Sequence, residues 1–115
     1  PSGLDAQGHY TTAYDLAMLT SYAMKNETFR EIVCCKSAKV EFGNPPYQRT
    51  LYNSNKMLRQ YEGAIGVKTG FTDNARRCLV SAAERDGVTL IAVTLNAGDD
   101  WNDHAKMLDH GFTKV

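Results

Sequence analysis

Ala64-Ile65-Gly66-Val67-Lys68-Thr69-Gly70 is the stretch on which the reading of this chain turns. A short apolar run ends at an ammonium, a hydroxyl and a glycine, and two further apolar segments follow it. The β-branched Ile65 and Val67 suit a strand, while Gly66 and Gly70 suit a backbone that another body approaches closely. Lys68 and Thr69 are strand neighbours and point to opposite faces, so one serves the rim of a cleft and the other its interior. Backbone N–H groups beyond Gly70 are left to donate to a developing oxyanion, and losing one such donor typically costs about 2.7 to 4 kcal/mol.

Working outward, residues 78–84 and 88–95 are apolar runs separated by Arg85-Asp86-Gly87, and Asp-Gly predicts an antiparallel hairpin. Upstream, residues 36–42 alternate polar and apolar side chains up to the turn Gly43-Asn44-Pro45-Pro46, and residues 47–52 return as the partner strand. Asn53-Ser54-Asn55 caps a short segment through Leu58, and a loop at 61–63 leads into the central strand. Thr12-x-x-Asp15 is a capping-box variant at the start of a helix over 12–25, closed by Asn26 and followed by a second helix over 27–33. A last helix begins at Asp99 or Asp100, with Trp101, Ala105, Leu108 and Phe112 on its apolar face and Gly111 as its stop. The fold class expected is α+β, a mainly antiparallel sheet with helices packed on it.

With 115 residues and 43% hydrophobic content the chain suits one domain with one core. Thirteen basic and thirteen acidic residues cancel, which removes the electrostatic drive for binding nucleic acid or an anionic membrane. No apolar stretch approaches the roughly 20 residues of a membrane span. Cys34, Cys35 and Cys78 are odd in number and are expected to be small buried hydrophobes rather than a disulfide framework. His9 is expected to organise the loop before the first helix. His104 and His110 fall on opposite faces of theirs, which argues against a shared metal site. Asp99, Asp100 and Asp103 are expected to favour a helix N-terminus. Trp101 reads as a core anchor, and Arg76-Arg77 as a solvated turn.

Several segments in order then carry a resemblance: Ser2-Gly3-Leu4, His9, Thr12-Ala13-x-Asp15-Leu16-Ala17, Asn53-x-Asn55-Lys56-x-Leu58, Gly66-Val67-Lys68-Thr69-Gly70-Phe71-Thr72, Cys78-Leu79-Val80-Ser81-Ala82 and Gly111-Phe112. Together they resemble the serine-type D-alanyl-D-alanine carboxypeptidases, the low-molecular-mass penicillin-binding proteins, whose third motif is K-T-G. The resemblance implies a β-lactamase/transpeptidase-like domain.

The family's nucleophile is the serine of S-x-x-K, and a second serine lies in S-x-N. Neither pattern occurs at Ser2, Ser21, Ser37, Ser54 or Ser81. The expectation is therefore that the chain is the C-terminal part of a single domain and carries no catalytic residue itself, the nucleophilic Ser and its Lys lying upstream. The resemblance assigns substrate binding to Lys68, Thr69, Gly70 and Phe71: Lys68 supplies charge beside the nucleophile and the substrate carboxylate, Thr69 hydrogen-bonds that carboxylate, Gly70 admits the substrate strand and the Phe71 N–H is an oxyanion donor. It implies no metal or organic cofactor, a location outside the cytoplasm, and a parent that takes peptidoglycan stem peptides and β-lactams. It also implies that the strand at 88–95 has lost a covering strand, so homodimerisation or aggregation through that edge is expected. Alternatives left open are a serine β-lactamase fragment, which shares K-T-G, and a non-catalytic peptidoglycan- or protein-binding module on the same fold.

Overall fold

Residues 2–115 are described by a computed structural model. Its elements run α1 (Ala13–Ala23), α2 (Glu27–Cys34), β1 (Ser37–Phe42), β2 (Tyr47–Tyr52), α3 (Met57–Gln60), β3 (Ala64–Thr72), β4 (Arg76–Arg85), β5 (Val88–Leu95) and α4 (Asp100–Phe112). The fold is α+β, with two antiparallel sheets: the hairpin β1-β2 and a three-stranded sheet in the order β3-β4-β5.

Local chemistry accounts for most boundaries. The Thr12 hydroxyl accepts the Asp15 N–H at 3.1 Å and starts α1. Asn26 was expected to close α1; its side chain instead accepts the Phe29 N–H at 2.9 Å and opens α2, because an asparagine amide oxygen satisfies the free donors of a helix start. Asp86 and Gly87 both take positive φ, 50° and 78°, which is the backbone a two-residue hairpin between twisted strands requires.

The three-stranded sheet separates two apolar layers. On one face Met24, Val67, Val80 and Ala82 pack with Leu16 of α1, Phe29 and Val33 of α2, and Ile91 and Val93 of β5. On the other, Leu79, Ala83 and Ala92 pack with Met57 of α3, Leu108 of α4, and the partly buried Trp101 and Phe112. Alternation along β4 places Leu79 and Ala83 on the α4 side and Val80 and Ala82 on the α1-α2 side, as the period of two dictates. Each fully buried leucine or methionine of this kind contributes about 1.5 to 3 kcal/mol.

The structure corrects three further sequence expectations. Gly111 does not stop α4, which continues through Phe112 to a cap at Thr113. A Cβ at Gly111 would stand 2.7 Å from Leu90 Cδ1, so its smallness lets α4 lie close against β5. The cysteines are not a buried set: Cys34 and Cys35 are exposed and Cys78 is half-buried. Cys34 ends an amphipathic helix whose Phe29 and Val33 turn to the core, leaving its own side chain toward solvent. Arg76 and Arg77 are the first residues of β4 rather than part of a turn, and Arg77 is ion-paired, as described below.

Candidate functional site

Strand β3 lies at one end of its sheet, so one line of its backbone groups is not paired to β4. Its register with β4 pairs Lys68 with Val80, Thr69 with Leu79, Gly70 with Cys78 and Phe71 with Arg77. Directly paired residues share a face, so Lys68 lies on the side of Val80 and the α1-α2 layer, while Thr69 and Phe71 lie with Leu79 on the α4 side. The opposite orientation of Lys68 and Thr69 read from the sequence is what the register gives.

A cleft of about 460 Å³ opens beside this strand, lined by Ser54, Lys68, Thr69, Phe71, Arg77 and Trp101 among others. Lys68 is exposed and its Nζ donates to the Thr69 carbonyl at 2.6 Å. The Thr69 hydroxyl is 3.0 Å from that of Ser54, in the segment between β2 and α3. That segment is held by its asparagines: Asn53 accepts the Asn55 N–H at 2.9 Å and donates to the Cys35 carbonyl at 3.0 Å, and buried Asn55 accepts the Met57 N–H at 3.1 Å.

The two glycines of the strand differ. A Cβ on Gly66 would meet Val33 Cγ2 at 3.1 Å, so the body that approaches the backbone there is helix α2 and not a ligand. A Cβ on Gly70 would find only Cys78 Cβ, at 4.0 Å, an ordinary contact. Nothing inside the fold requires a glycine at 70, and the space it leaves belongs to the cleft.

Arg77, Asp100 and Trp101 form the far wall. Arg77 Nη2 donates to Asp100 Oδ1 at 2.6 Å, and the same oxygen accepts the Trp101 N–H at 2.9 Å. The Arg77 guanidinium lies 5.7 Å from the centre of the Trp101 ring. Asp100 is 3% exposed, and its hydrogen bond raises the already high pKa of Arg77. Asp100 therefore does more than favour the helix start, and Trp101 both packs on the core and lines the cleft.

Behind the sheet, His104 is fully buried and bridges two strands, with Nδ1 2.5 Å from Ser81 Oγ and Nε2 2.9 Å from Thr94 Oγ1. Burial lowers its pKa against the opposing pull of Asp100 and Asp103. The spacing of His104 in the sequence places it on a helix face and carries no sign of this bridge. His9 is exposed, its backbone N–H bonded to the Ala6 carbonyl at 3.1 Å, and it lines a second hollow with Asp5, Tyr10, Phe71 and Thr72.

An antiparallel sheet covered by helices on both faces, with a K-T-G strand at its edge beside an open cleft, defines a transpeptidase-like class of enzyme domain. A family model described as D-alanyl-D-alanine carboxypeptidase matches residues 1–99. The chain is 32% identical over 117 residues to D-alanyl-D-alanine carboxypeptidase DacF of Bacillus subtilis, covering 99% of this chain and 30% of that protein. To the D-alanyl-D-alanine carboxypeptidase of Streptomyces sp. strain K15 it is 38% identical, covering 96% and 40%. The structure of the Streptomyces K15 DD-transpeptidase superposes with a TM-score of 0.86 at 37% identity, over 96% of this chain and 45% of that one. That of the D-alanyl-D-alanine carboxypeptidase from Mycobacterium tuberculosis gives 0.85 at 34% identity, over 97% and 45%. The chain belongs to the D-alanyl-D-alanine carboxypeptidase family. It spans 30% and 40% of the length of these two curated relatives.

Proposed function

We propose that this chain is the C-terminal part of a single transpeptidase-like domain, and that the complete domain is a serine-type D-Ala-D-Ala carboxypeptidase acting outside the cytoplasm. An upstream S-x-x-K serine attacks the D-Ala-D-Ala peptide carbonyl, the last D-Ala leaves with the proton, and water hydrolyses the acyl-enzyme. β-Lactams acylate the same serine. In this chain, Lys68 supplies positive charge on the α1-α2 side of the strand, Thr69 offers its hydroxyl to the ligand's carboxylate, Gly70 lets the ligand backbone approach, and the Phe71 N–H serves the oxyanion.

The observation that carries this reading is the position of Lys68-Thr69-Gly70-Phe71 on an edge strand that opens into the 460 Å³ cleft, with no internal neighbour explaining Gly70. Further support comes from α1, where Tyr14, Met18 and Tyr22 recur at one-turn spacing and stand 72%, 55% and 76% exposed. Such a row suits burial against the rest of the domain.

Intact-mass measurement after incubation with excess penicillin tests the proposal. This chain should gain no stoichiometric adduct, whereas a polypeptide that also carries the S-x-x-K half should gain one penicilloyl group. An adduct on any serine of this chain would sink the fragment reading. In the longer polypeptide Lys68→Ala should slow acylation about 100-fold while Lys25→Ala or Lys114→Ala leaves it unchanged. A small effect at Lys68 would reduce it to a surface lysine.

A further inference from the structure

The balanced net charge of the chain divides unevenly. Residues 36–59 hold Lys36, Lys39, Arg49, Lys56 and Arg59 against a single acid, Glu41, a net charge of +4, and the remaining eight basic and twelve acidic residues give −4. All five cations are exposed, and none is ion-paired to a carboxylate among the described residues. Glu31, at the hollow under residues 37–38 and 51–53, offsets part of this charge. The molecule is 53 Å in its longest dimension and charges are screened over about 10 Å at 0.1 M salt, so distant carboxylates do not cancel the rest.

The hairpin β1-β2 occupies most of this segment and supplies no residue to either buried layer. Its base is pinned: the Asn53 N–H donates to the Lys36 carbonyl at 2.9 Å, and the Arg59 guanidinium donates to the Lys36 and Asn53 carbonyls at 3.1 and 3.3 Å. The register pairs Ala38 with Leu51, Val40 with Arg49 and Phe42 with Tyr47, so these six share one face, while Lys39, Glu41, Gln48 and Thr50 lie on the other. One face is thus apolar around a single guanidinium. Phe42, Leu51 and Tyr47 on it stand 41%, 44% and 56% exposed, and the Phe42 and Tyr47 rings lie 6.1 Å apart at the turn end.

We propose that this face of the hairpin is a docking surface for an anionic lipid bilayer. Phe42, Tyr47 and Leu51 enter the headgroup boundary, Arg49 reaches lipid phosphate from its apolar stem, and the neighbouring lysines add attraction. Charge and size both select the bilayer. An apolar face among unpaired cations complements anionic headgroups over an acyl interior, and six residues fall far short of the roughly 20 to 30 a side of a stable protein interface. A bilayer sets no such minimum, because binding grows with each apolar group buried and each cation brought to the surface. The docking surface goes beyond the peptidase reading and does not rest on it.

Sedimentation with vesicles tests it. This chain should bind vesicles of equal parts phosphatidylglycerol and phosphatidylcholine, bind phosphatidylcholine alone about 100-fold more weakly, and be released at about 1 M salt, where charges are screened within about 3 Å. Arg49→Gln combined with Lys39→Gln should weaken binding about 10- to 30-fold, and Phe42→Ser combined with Tyr47→Ser by about as much. All four positions are exposed, so the urea midpoint should stay unchanged. In the wild type, bicelles carrying spin-labelled phosphatidylglycerol should broaden the amide resonances of residues 40–49 and spare those of residues 79–83, a readout that needs no variant to fold. Absence of binding to the mixed vesicles, equal binding to both compositions, or broadening that spares the hairpin would overturn the proposal. So would broadening of the same resonances by rising protein concentration without lipid, which would make a second copy the occupant. Loss of vesicle binding in a polypeptide that adds the S-x-x-K half would overturn it too, by making that half the cover of this face.

Discussion

The Thr72 hydroxyl donates to the Asp5 carboxylate at 2.6 Å, tying the segment that precedes α1 to the end of the K-T-G strand. The other Asp5 oxygen accepts the Asn74 N–H at 3.3 Å, and Thr72 Oγ1 accepts the Ala75 N–H at 3.0 Å. One carboxylate and one hydroxyl thus organise the β3–β4 turn and dock residues far away in sequence. Asp5→Ala should cost about 1 kcal/mol of stability, since the contact is charge-assisted but exposed. Hydrogen exchange should show the amides of Asn74 and Ala75 protected less in the variant; unchanged protection would mean that the turn stands without Asp5.

Gly66 and Gly70 should respond differently to the same substitution. Gly66→Ala presses a methyl against Val33 and should destabilise the fold by about 1 to 3 kcal/mol, read as a lower midpoint in urea. Gly70→Ala meets only an ordinary contact and should leave the midpoint nearly unchanged, while weakening peptide binding at the strand. A strongly destabilised Gly70→Ala would show that this glycine serves the fold.

His104 makes stability depend on pH with a definite sign. Its folded pKa is lowered below the ordinary 6.5 by burial, so in the interval just below 6.5 the unfolded chain binds more protons than the folded one. The contribution is fully present above 6.5 and is lost as the pH falls from there toward the folded pKa. The urea midpoint should therefore drop between pH 7 and pH 5 more steeply in the wild type than in His104→Gln. Parallel pH profiles for the two proteins would contradict this.

Association of the isolated chain is a further expected outcome. Strand β5 is the other end of its sheet, so its outer backbone groups have no strand partner among the described residues, and α1 carries its exposed row of Tyr14, Met18 and Tyr22. Light scattering should give an apparent mass that rises with concentration. A monomer at all concentrations, with rapidly exchanging amides in residues 90–94, would show that the edge is open yet harmless.

The sequence alone determined most elements and the pairing within the two hairpins, because the signals there are local; that β3 pairs with β4 came from the tertiary structure. Asp86-Gly87 fixes a hairpin through positive φ, and Thr12 marks a helix start through one hydroxyl. The K-T-G strand and its place between helical and antiparallel segments were legible for the same reason. Tertiary structure decided what lies across the chain. Asn26 serves the helix after it rather than the one before, and Gly111 is small because Leu90 of another element presses on it. The cleft wall was hidden because Arg77 meets Asp100 only once α4 docks, and His104 meets Ser81 and Thr94 only once β4 and β5 pair beneath that helix. Propensity and periodicity act within a few residues, whereas a salt bridge or a buried histidine bridge depends on distances that only packing of separate elements creates.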